Sequence, residues 1–297
     1  MTTTFTAPTD LLQARSAPSN LLLPLVQLTV VVPTRNESPN VDELIERIRR
    51  SMGASGITYE ILFIDDSDDG TPATIAAHVA DGSPVRLIHR RAGTRAGGLA
   101  GALCAGFSDA RGSHALCVDA DLQHPPELLA PMARVLLDGT ADVVVGTRYL
   151  AGGNNDGLGG PWRRFVSVAS RDLARCTLPQ LRQTTDPGSG LFGLKLSVIH
   201  GVELKPIGYK TLIEVLARAN WSTIAEIPYR FGARTAGTSN VSAREGWRFV
   251  RHLIRLKLDA DVRRRRPKTI VPCLAFGVPT ADPGDASMLT VVVRRTA

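Results

Sequence analysis

Asp119 and Asp121, separated by one residue, stand at the end of an apolar run from Ala115 to Val118. The run is too short for a typical helix and follows the turn signal Arg111-Gly112-Ser113, so it reads as a buried strand. At a strand end the chain leaves the sheet, and neighbouring side chains can converge there. Two carboxylates held that close repel each other. A hard divalent cation, Mg²⁺ or Mn²⁺, relieves the repulsion and can bind substrate phosphates as well. This is the chemistry a nucleotide-sugar enzyme needs, with a metal clamped to a diphosphate leaving group. The plain alternative is a solvated Asp-x-Asp turn ahead of a helix begun by Pro125 and Pro126.

Other polar groups fall at comparable places. Asp65 and Asp66 end a second apolar run. They could accept hydrogen bonds from a base N–H or ribose hydroxyls, or belong to a helix cap made through Ser67 or Asp69. Arg148, in Gly146-Thr147-Arg148-Tyr149, follows another strand-like run, and Arg163 and Arg164 open a helical segment. Lys210 and Arg234 lie in Gly208-Tyr209-Lys210 and Phe231-Gly232-Ala233-Arg234. Each basic residue could be ordinary solvated surface; brought together, they would form a phosphate cage in which arginine supplies forked donors.

These residues need a scaffold. Strand patterns over Gln27–Pro33, Tyr59–Asp65, Val85–His89, Ala115–Val118 and Asp142–Gly146 alternate with helical ones over Val41–Met52, Pro72–Ala80, Gly98–Ala110 and Glu127–Leu137. Such alternation predicts an α/β domain with a Rossmann-like, mainly parallel central sheet and helices on both faces. Ligands of such sheets sit beyond the carboxyl ends of the strands. Those ends carry Pro33-Thr34-Arg35-Asn36-Glu37, Asp65-Asp66-Ser67-Asp68-Asp69 and Asp119-Ala120-Asp121, which argues for one site. The second half is less regular, with helices expected over Arg163–Leu178 and Thr211–Ala219 and strands over Gly190–Lys195 and Ile224–Phe231. The first strand-to-helix turn lacks the Gly-x-Gly-x-x-Gly of dinucleotide-binding domains, and no Walker A pattern occurs. Asp65 to Gly70 resembles a calcium loop, but the twelfth position is Ala76 rather than glutamate.

The chain has 297 residues, 43% of them hydrophobic, enough for one large α/β domain with extensions or for two small domains. No segment reaches the ~18 continuous apolar residues of a membrane span, and no secretory signal is expected. Cys104, Cys117, Cys176 and Cys273 are far apart and form no metal or redox pair, which suits a reducing cytoplasm. The formal net charge is +7, and Arg244 to Lys268, with ten Lys/Arg and three Asp/Glu, carries all of it. The partner of that charge is expected to be a local anionic surface. As a helix, Arg244–Leu258 places Trp247, Val250, Ile254 and Leu258 on one face and Arg244, Arg248, Arg251 and Arg255 on an adjacent one. It could lie in an anionic membrane interface or pack as an ordinary surface helix; Arg263–Arg266 favours the membrane. A nucleic-acid role lacks interleaved aromatics and a binding motif, so no nucleic acid is expected.

The ordered series Pro33-Thr34-x-Asn36-Glu37, the aspartates near 65, Asp119-Ala120-Asp121-Leu122-Gln123-His124-Pro125-Pro126-Glu127 and Gly146-Thr147-Arg148-Tyr149 resembles the dolichol/polyprenol-phosphate mannose synthases. These belong to glycosyltransferase family 2 and have the GT-A fold. Asp186-Pro187-Gly188-Ser189-Gly190, Pro206-Ile207-Gly208-Tyr209-Lys210 and Phe231-Gly232-x-Arg234 continue the resemblance, which covers roughly 27 to 258. It implies that Asp119, Asp121 and Gln123 hold Mg²⁺ or Mn²⁺. It also implies that Pro33, Arg35, Glu37, Asp65, Asp66, Asp119 and Ala120 contact the nucleotide sugar. Arg148, Arg163, Ser167, Lys210 and Arg234 would gather around the donor diphosphate and the lipid phosphate; with Asp121, the four basic residues form the expected catalytic set. Arg35 stands where the family usually has an aromatic residue, although a guanidinium also stacks on a base. Asn240 stands where a lysine is common.

The implied reaction transfers mannose from GDP-mannose to a polyprenol monophosphate, with inversion, at the cytoplasmic face of a membrane. UDP-glucose is the alternative donor, and a non-catalytic nucleotide-sugar-binding protein is the alternative class. A separate membrane subunit is a further partner consistent with the lack of spans. The expected organisation is a disordered extension over 1–26, the GT-A domain over 27–240, the basic amphipathic helix over 241–262 and a basic, flexible tail over 263–297. Met288–Arg294 in that tail is weakly strand-like.

Overall fold

The computed structural model describes residues 26–205, 207–233, 243–264, 270–279 and 288–296. Nearly all of the expected N-terminal extension, and Arg234 and Asn240, lie outside these residues. The chain opens with β1 (Leu28–Thr34), α1 (Ser38–Gly53), β2 (Tyr59–Asp65), α2 (Thr71–Ala80), β3 (Val85–His89), α3 (Gly98–Asp109) and β4 (His114–Cys117). It continues through α4 (Leu129–Leu137), β5 (Val143–Thr147), α5 (Pro161–Thr177), β6 (Phe192–Lys195), α6 (Thr211–Arg218) and β7 (Thr223–Pro228). Last come α7 (Ala243–Leu258), α8 (Ala260–Arg264), β8 (Ile270–Pro279) and β9 (Met288–Thr296).

Among the described residues the strands form one sheet in the order β3-β2-β1-β4-β6-β5-β7-β9-β8. All strands point the same way except β6 and β9, each antiparallel to both its neighbours. Period-two alternation divides β1 between two cores. Leu28, Val30 and Val32 pack with α1 and α4, through Leu44, Ile48 and Met132, while Val31 packs with Leu103 and Phe107 of α3 on the other face. A strand covered on both faces is buried throughout, as all seven residues of Leu28–Thr34 are; its two threonines give their hydroxyls to Glu60 and Asp65. The small residues of α3 let it approach closely: a Cβ at Gly106 would lie 2.3 Å from Val31 Cγ1.

The register brings the strand ends level, with Thr34 opposite Asp65 and Asp65 opposite His89. The loops beyond β1, β2, β3, β4 and β5 therefore open toward the same edge.

Two outcomes differ from the sequence expectations. Glu127 lies in a short 3₁₀ turn, Pro126–Leu128, ahead of α4 rather than inside it. The expected flexible tail contains the β8–β9 hairpin, with β9 paired to β7 and Val291 and Val293 buried. Without it β7 would present an open sheet edge. The signal was weak because only Leu289 to Val293 is continuously apolar or β-prone, and two arginines follow.

α7 packs inward through Phe249, His252, Leu253 and Leu256 and leaves Trp247, Ile254 and Leu258 exposed. One face of α7 thus packs on the fold, and another leaves apolar groups exposed. Among the described residues no helix is long and apolar enough to cross a membrane.

Candidate active site

The loop after β4 is shaped by its backbone. Leu122 adopts a left-handed conformation, φ 60°. This is uncommon for a residue with a bulky side chain and costs about 1–2 kcal/mol. The reversal folds the chain so that the Gln123 amide donates to Asp121 Oδ1 at 3.1 Å. Burial of Leu122 in the core helps to hold the turn. Gln123 Nε2 donates to the carbonyls of Gly157 and Gly232, at 3.2 and 3.0 Å, which fixes the amide and directs its oxygen away from them. Asp119 is partly exposed and lies 3.2 Å from His124 Nε2, whose Nδ1 meets the Tyr229 hydroxyl at 2.9 Å. Burial pushes the Tyr229 phenol well above its ordinary value, so it stays protonated and can donate to that nitrogen. His124 is then left to donate to Asp119 and orient it.

A side chain at position 190 would crowd this turn. A Cβ there would lie 2.6 Å from Asp119 Oδ2 and 3.0 Å from His124 Nε2. The space beside the carboxylate is thus kept open by the backbone of the Asp186–Gly190 segment. Two carboxylates and an oriented amide make an oxygen-donor set of the kind hard divalent cations prefer.

The second cluster lies beyond β5. Arg148 forks onto Asp186, with Nε 2.7 Å and Nη2 2.9 Å from the two carboxylate oxygens, and both side chains are buried. Burial opposes the Arg148 charge, but Asp186 outweighs it and holds the guanidinium above its ordinary value. The Arg148 guanidinium also lies over the Phe231 ring, 5.4 Å from the centroid. Lys210 precedes α6; its Nζ donates to Ser170 Oγ at 2.9 Å and sits 4.1 Å from the Phe249 ring centre. Burial first, and Arg148 second, push the Lys210 ammonium down to about 8. Ser167 joins through Tyr149, whose hydroxyl lies 2.9 Å from Ser167 Oγ. Arg171 stacks on the Tyr149 ring at 4.3 Å. Arg163 is exposed at the start of α5 and is not in this contact network.

A third cluster lies beyond β1, β2 and β3. Asp65 is fully buried, with one oxygen taking the Thr34 and Ser67 hydroxyls and the other taking His89 Nδ1 at 2.6 Å. Asp66 is held by a bidentate Arg90 at 2.7 and 2.6 Å. Both aspartates anticipated as nucleoside contacts therefore stand behind the surface, and Arg90 and His89 stand in front of them. Asp69 accepts from the Thr71 amide and hydroxyl at the start of α2, whose N-cap position, Gly70, has no side-chain cap bond. Pro33 and Ala120 are buried and contribute backbone, Arg35 is exposed, and Glu37 accepts from Asn40 Nδ2 at 2.7 Å. Asn36, left-handed at φ 57°, ties the first loop to the second through Ser67 and Asp68.

The sequence reading missed Asp186, Ser170, His124, Tyr229, His89 and Arg90. Asp186 and His124 stood inside motifs already singled out, so a signal existed. The others become visible only through pairing across the fold.

The glycosyl transferase family 2 model matches residues 29–198. The chain is 35% identical over 241 residues to the dolichol-phosphate mannosyltransferase of Pyrococcus furiosus, spanning 80% of this chain and 66% of that protein, just under two thirds. It is 33% identical to the dolichol-phosphate mannosyltransferase of Mycosarcoma maydis, over 77% of this chain and 78% of the relative. In fold it is similar to mannosyl-3-phosphoglycerate synthase from Rubrobacter xylanophilus, with a TM-score of 0.58 at 20% identity, covering 91% of this chain and 87% of that one. The strand order, the loop-borne clusters and these matches agree: the chain has the GT-A fold and belongs to glycosyl transferase family 2.

Proposed function

We propose that this protein transfers mannose from GDP-mannose to a polyprenol monophosphate, with Mg²⁺ or Mn²⁺, at the cytoplasmic surface of an anionic membrane. The observation that carries the reading is the pairing of an oxygen-donor turn, Asp119–Gln123, with a largely buried cationic cluster, Arg148 and Lys210, in a chain similar to proteins named dolichol-phosphate mannosyltransferases. Among the described residues no three His, Cys, Asp or Glu side chains group as metal ligands. Asp119 and Asp121 would hold the cation with the Gln123 amide oxygen and substrate oxygens, a set that suits Mg²⁺ or Mn²⁺. Bound there, the metal would neutralise charge on the departing diphosphate.

The protein's own groups have a separate task. A lipid monophosphate has a second pKa near ~6 and is largely dianionic at neutral pH, so it is a nucleophile without a general base. The difficulty is to bring two anions together. Lys210 and Arg148 supply fixed positive charge in a partly buried site, where such charge counts for more than in water. Arg163, exposed at the start of α5, and Arg234, outside the described residues, are proposed from the family resemblance as further phosphate contacts. Tyr149 positions Ser167 against the cationic cluster. In-line attack on an α-linked donor would invert the anomeric carbon and give a β-linked product.

Membrane contact rests on α7 and on α5. Trp162 and Phe165 of α5 stack at 5.7 Å and are exposed, as are Trp247, Ile254 and Leu258 of α7. Exposed arginines and a lysine border these apolar groups, as expected for a helix lying in an anionic interface.

The test is incubation of purified protein with Mg²⁺ or Mn²⁺, short-chain polyprenyl phosphate and either GDP-mannose or UDP-glucose, with mass spectrometry of the lipid. A metal-dependent mannolipid is expected, and Asp121→Ala should abolish it. A glucolipid would replace the donor, and turnover near wild type in Asp121→Ala would remove the metal mechanism.

A further inference from the structure

Resting on the nucleotide-sugar reading of the cleft, we infer that His89 reads the base of the donor and sets its specificity. The Asp65 carboxylate, an acceptor only, takes hydroxyl hydrogens from Thr34 and Ser67 at one oxygen and faces His89 Nδ1 at 2.6 Å with the other. The Nδ1 nitrogen must therefore carry its hydrogen, and in the neutral ring Nε2 is left as an acceptor. The Asp65 side chain is fully buried while 30% of the His89 side chain is exposed, so the ring stands between the buried carboxylate and solvent. His89 ends β3 level with the ends of β1 and β2. It also sits near the charge of Asp68, which is shared by Arg35 and by Arg95 at 2.8 Å. Arg35 is exposed on the same cluster of loops. In its neutral form, with Nδ1–H given to Asp65, His89 presents one oriented acceptor at the mouth of the cleft.

An acceptor there matches bases with a ring N–H on their pairing edge, guanine N1–H or uracil N3–H. It opposes adenine N1 and cytosine N3, which are acceptors themselves. Asp65 then acts on the base through His89, which explains how a buried carboxylate bears on recognition.

Isothermal titration of the Mn²⁺-loaded protein with GDP, UDP, ADP and CDP tests this, with inorganic pyrophosphate as the baseless control. The wild type should bind GDP or UDP at least about tenfold more tightly than ADP and CDP, the worth of one good hydrogen bond. His89→Ala should bring that ratio below about threefold while pyrophosphate affinity, a check on folding, stays unchanged. Asp65→Asn supplies a second test: its amide N–H would donate to Nδ1, move the ring hydrogen to Nε2 and turn the preference toward ADP and CDP. Full discrimination in His89→Ala, with pyrophosphate still bound, would overturn the role of His89 alone. A wild type that binds pyrophosphate but no nucleoside diphosphate would overturn the reading of the cleft, and His89 with it.

Discussion

Asp186 grips one edge of the Arg148 guanidinium, through Nε and Nη2 at 2.7 and 2.9 Å, and is itself 1% exposed. The pair keeps a positive charge in place close to Lys210, which would otherwise be repelled. The support runs further back. Thr184 and Thr185, just before Asp186, bond to the buried Glu226 of β7, and Arg294 of β9 pairs with the same glutamate. Asp186→Ala would leave Arg148 as a buried, unmatched charge. Breaking one side of such a pair costs about 3–5 kcal/mol. Urea unfolding should show a loss of that order; a loss under about 1 kcal/mol would mean that water already reaches the pair.

Lys210 sets an expected pH limit. Burial lowers its ammonium to about 8 in the ligand-free protein. The charged form, which attracts phosphates, prevails below that value and is lost as pH rises through it. Because kcat/KM reports the free enzyme, kcat/KM should fall on the alkaline side with a midpoint near 8. Lys210→Met should remove that limb and lower kcat/KM by about 10²-fold or more, as loss of an electrostatic donor does. A limb that persists unchanged in the variant would assign the titration to another group.

The parallel half of the fold was legible because strands covered on both faces must be uninterrupted apolar runs, as Val30-Val31-Val32 and Ile61-Leu62-Phe63-Ile64 are. The reversed direction of β6 was not, since direction depends on pairing and leaves no mark in a four-residue strand. The turn after β4 was legible from Asp119 and Asp121, which are close in sequence, while Gln123 entered only through the family resemblance. Asp186 and Arg148 are separated by 38 positions, and only the fold joins them. The same holds for Asp65 and His89: the aspartate was visible at a strand end, but its burial behind the histidine was not.

Gly190 offers a test of the oxygen-donor turn that does not alter any ligand. A Cβ at this position would press on Asp119 Oδ2 at 2.6 Å and on His124 Nε2 at 3.0 Å. The side chain can yield only by turning away from its present direction. Gly190→Ala should therefore weaken Mn²⁺ binding by about 10–100-fold, the range found when groups that orient metal ligands are disturbed. Calorimetry on metal-free protein would measure it. Unchanged affinity would place the cation away from Asp119.

The exposed aromatics of α5 make a prediction that separates the membrane from the chemistry. Trp162 is 71% and Phe165 62% exposed, and they stack on each other rather than on the protein. Such a pair keeps its large apolar area in water unless another surface covers it. Trp247 of α7, 66% exposed, belongs to the same class of residue, and α5 and α7 are in contact. Full burial of one large apolar side chain contributes about 1.5–3 kcal/mol, so Trp162→Ser with Phe165→Ser should weaken binding to anionic vesicles by at least tenfold. Neither residue is part of the Arg148–Asp186 or Lys210 contacts. Turnover of a short, water-soluble acceptor should therefore stay near wild type while turnover of a long-chain acceptor in vesicles falls. Equal losses on both acceptors would place these rings at the reacting groups instead of at the membrane.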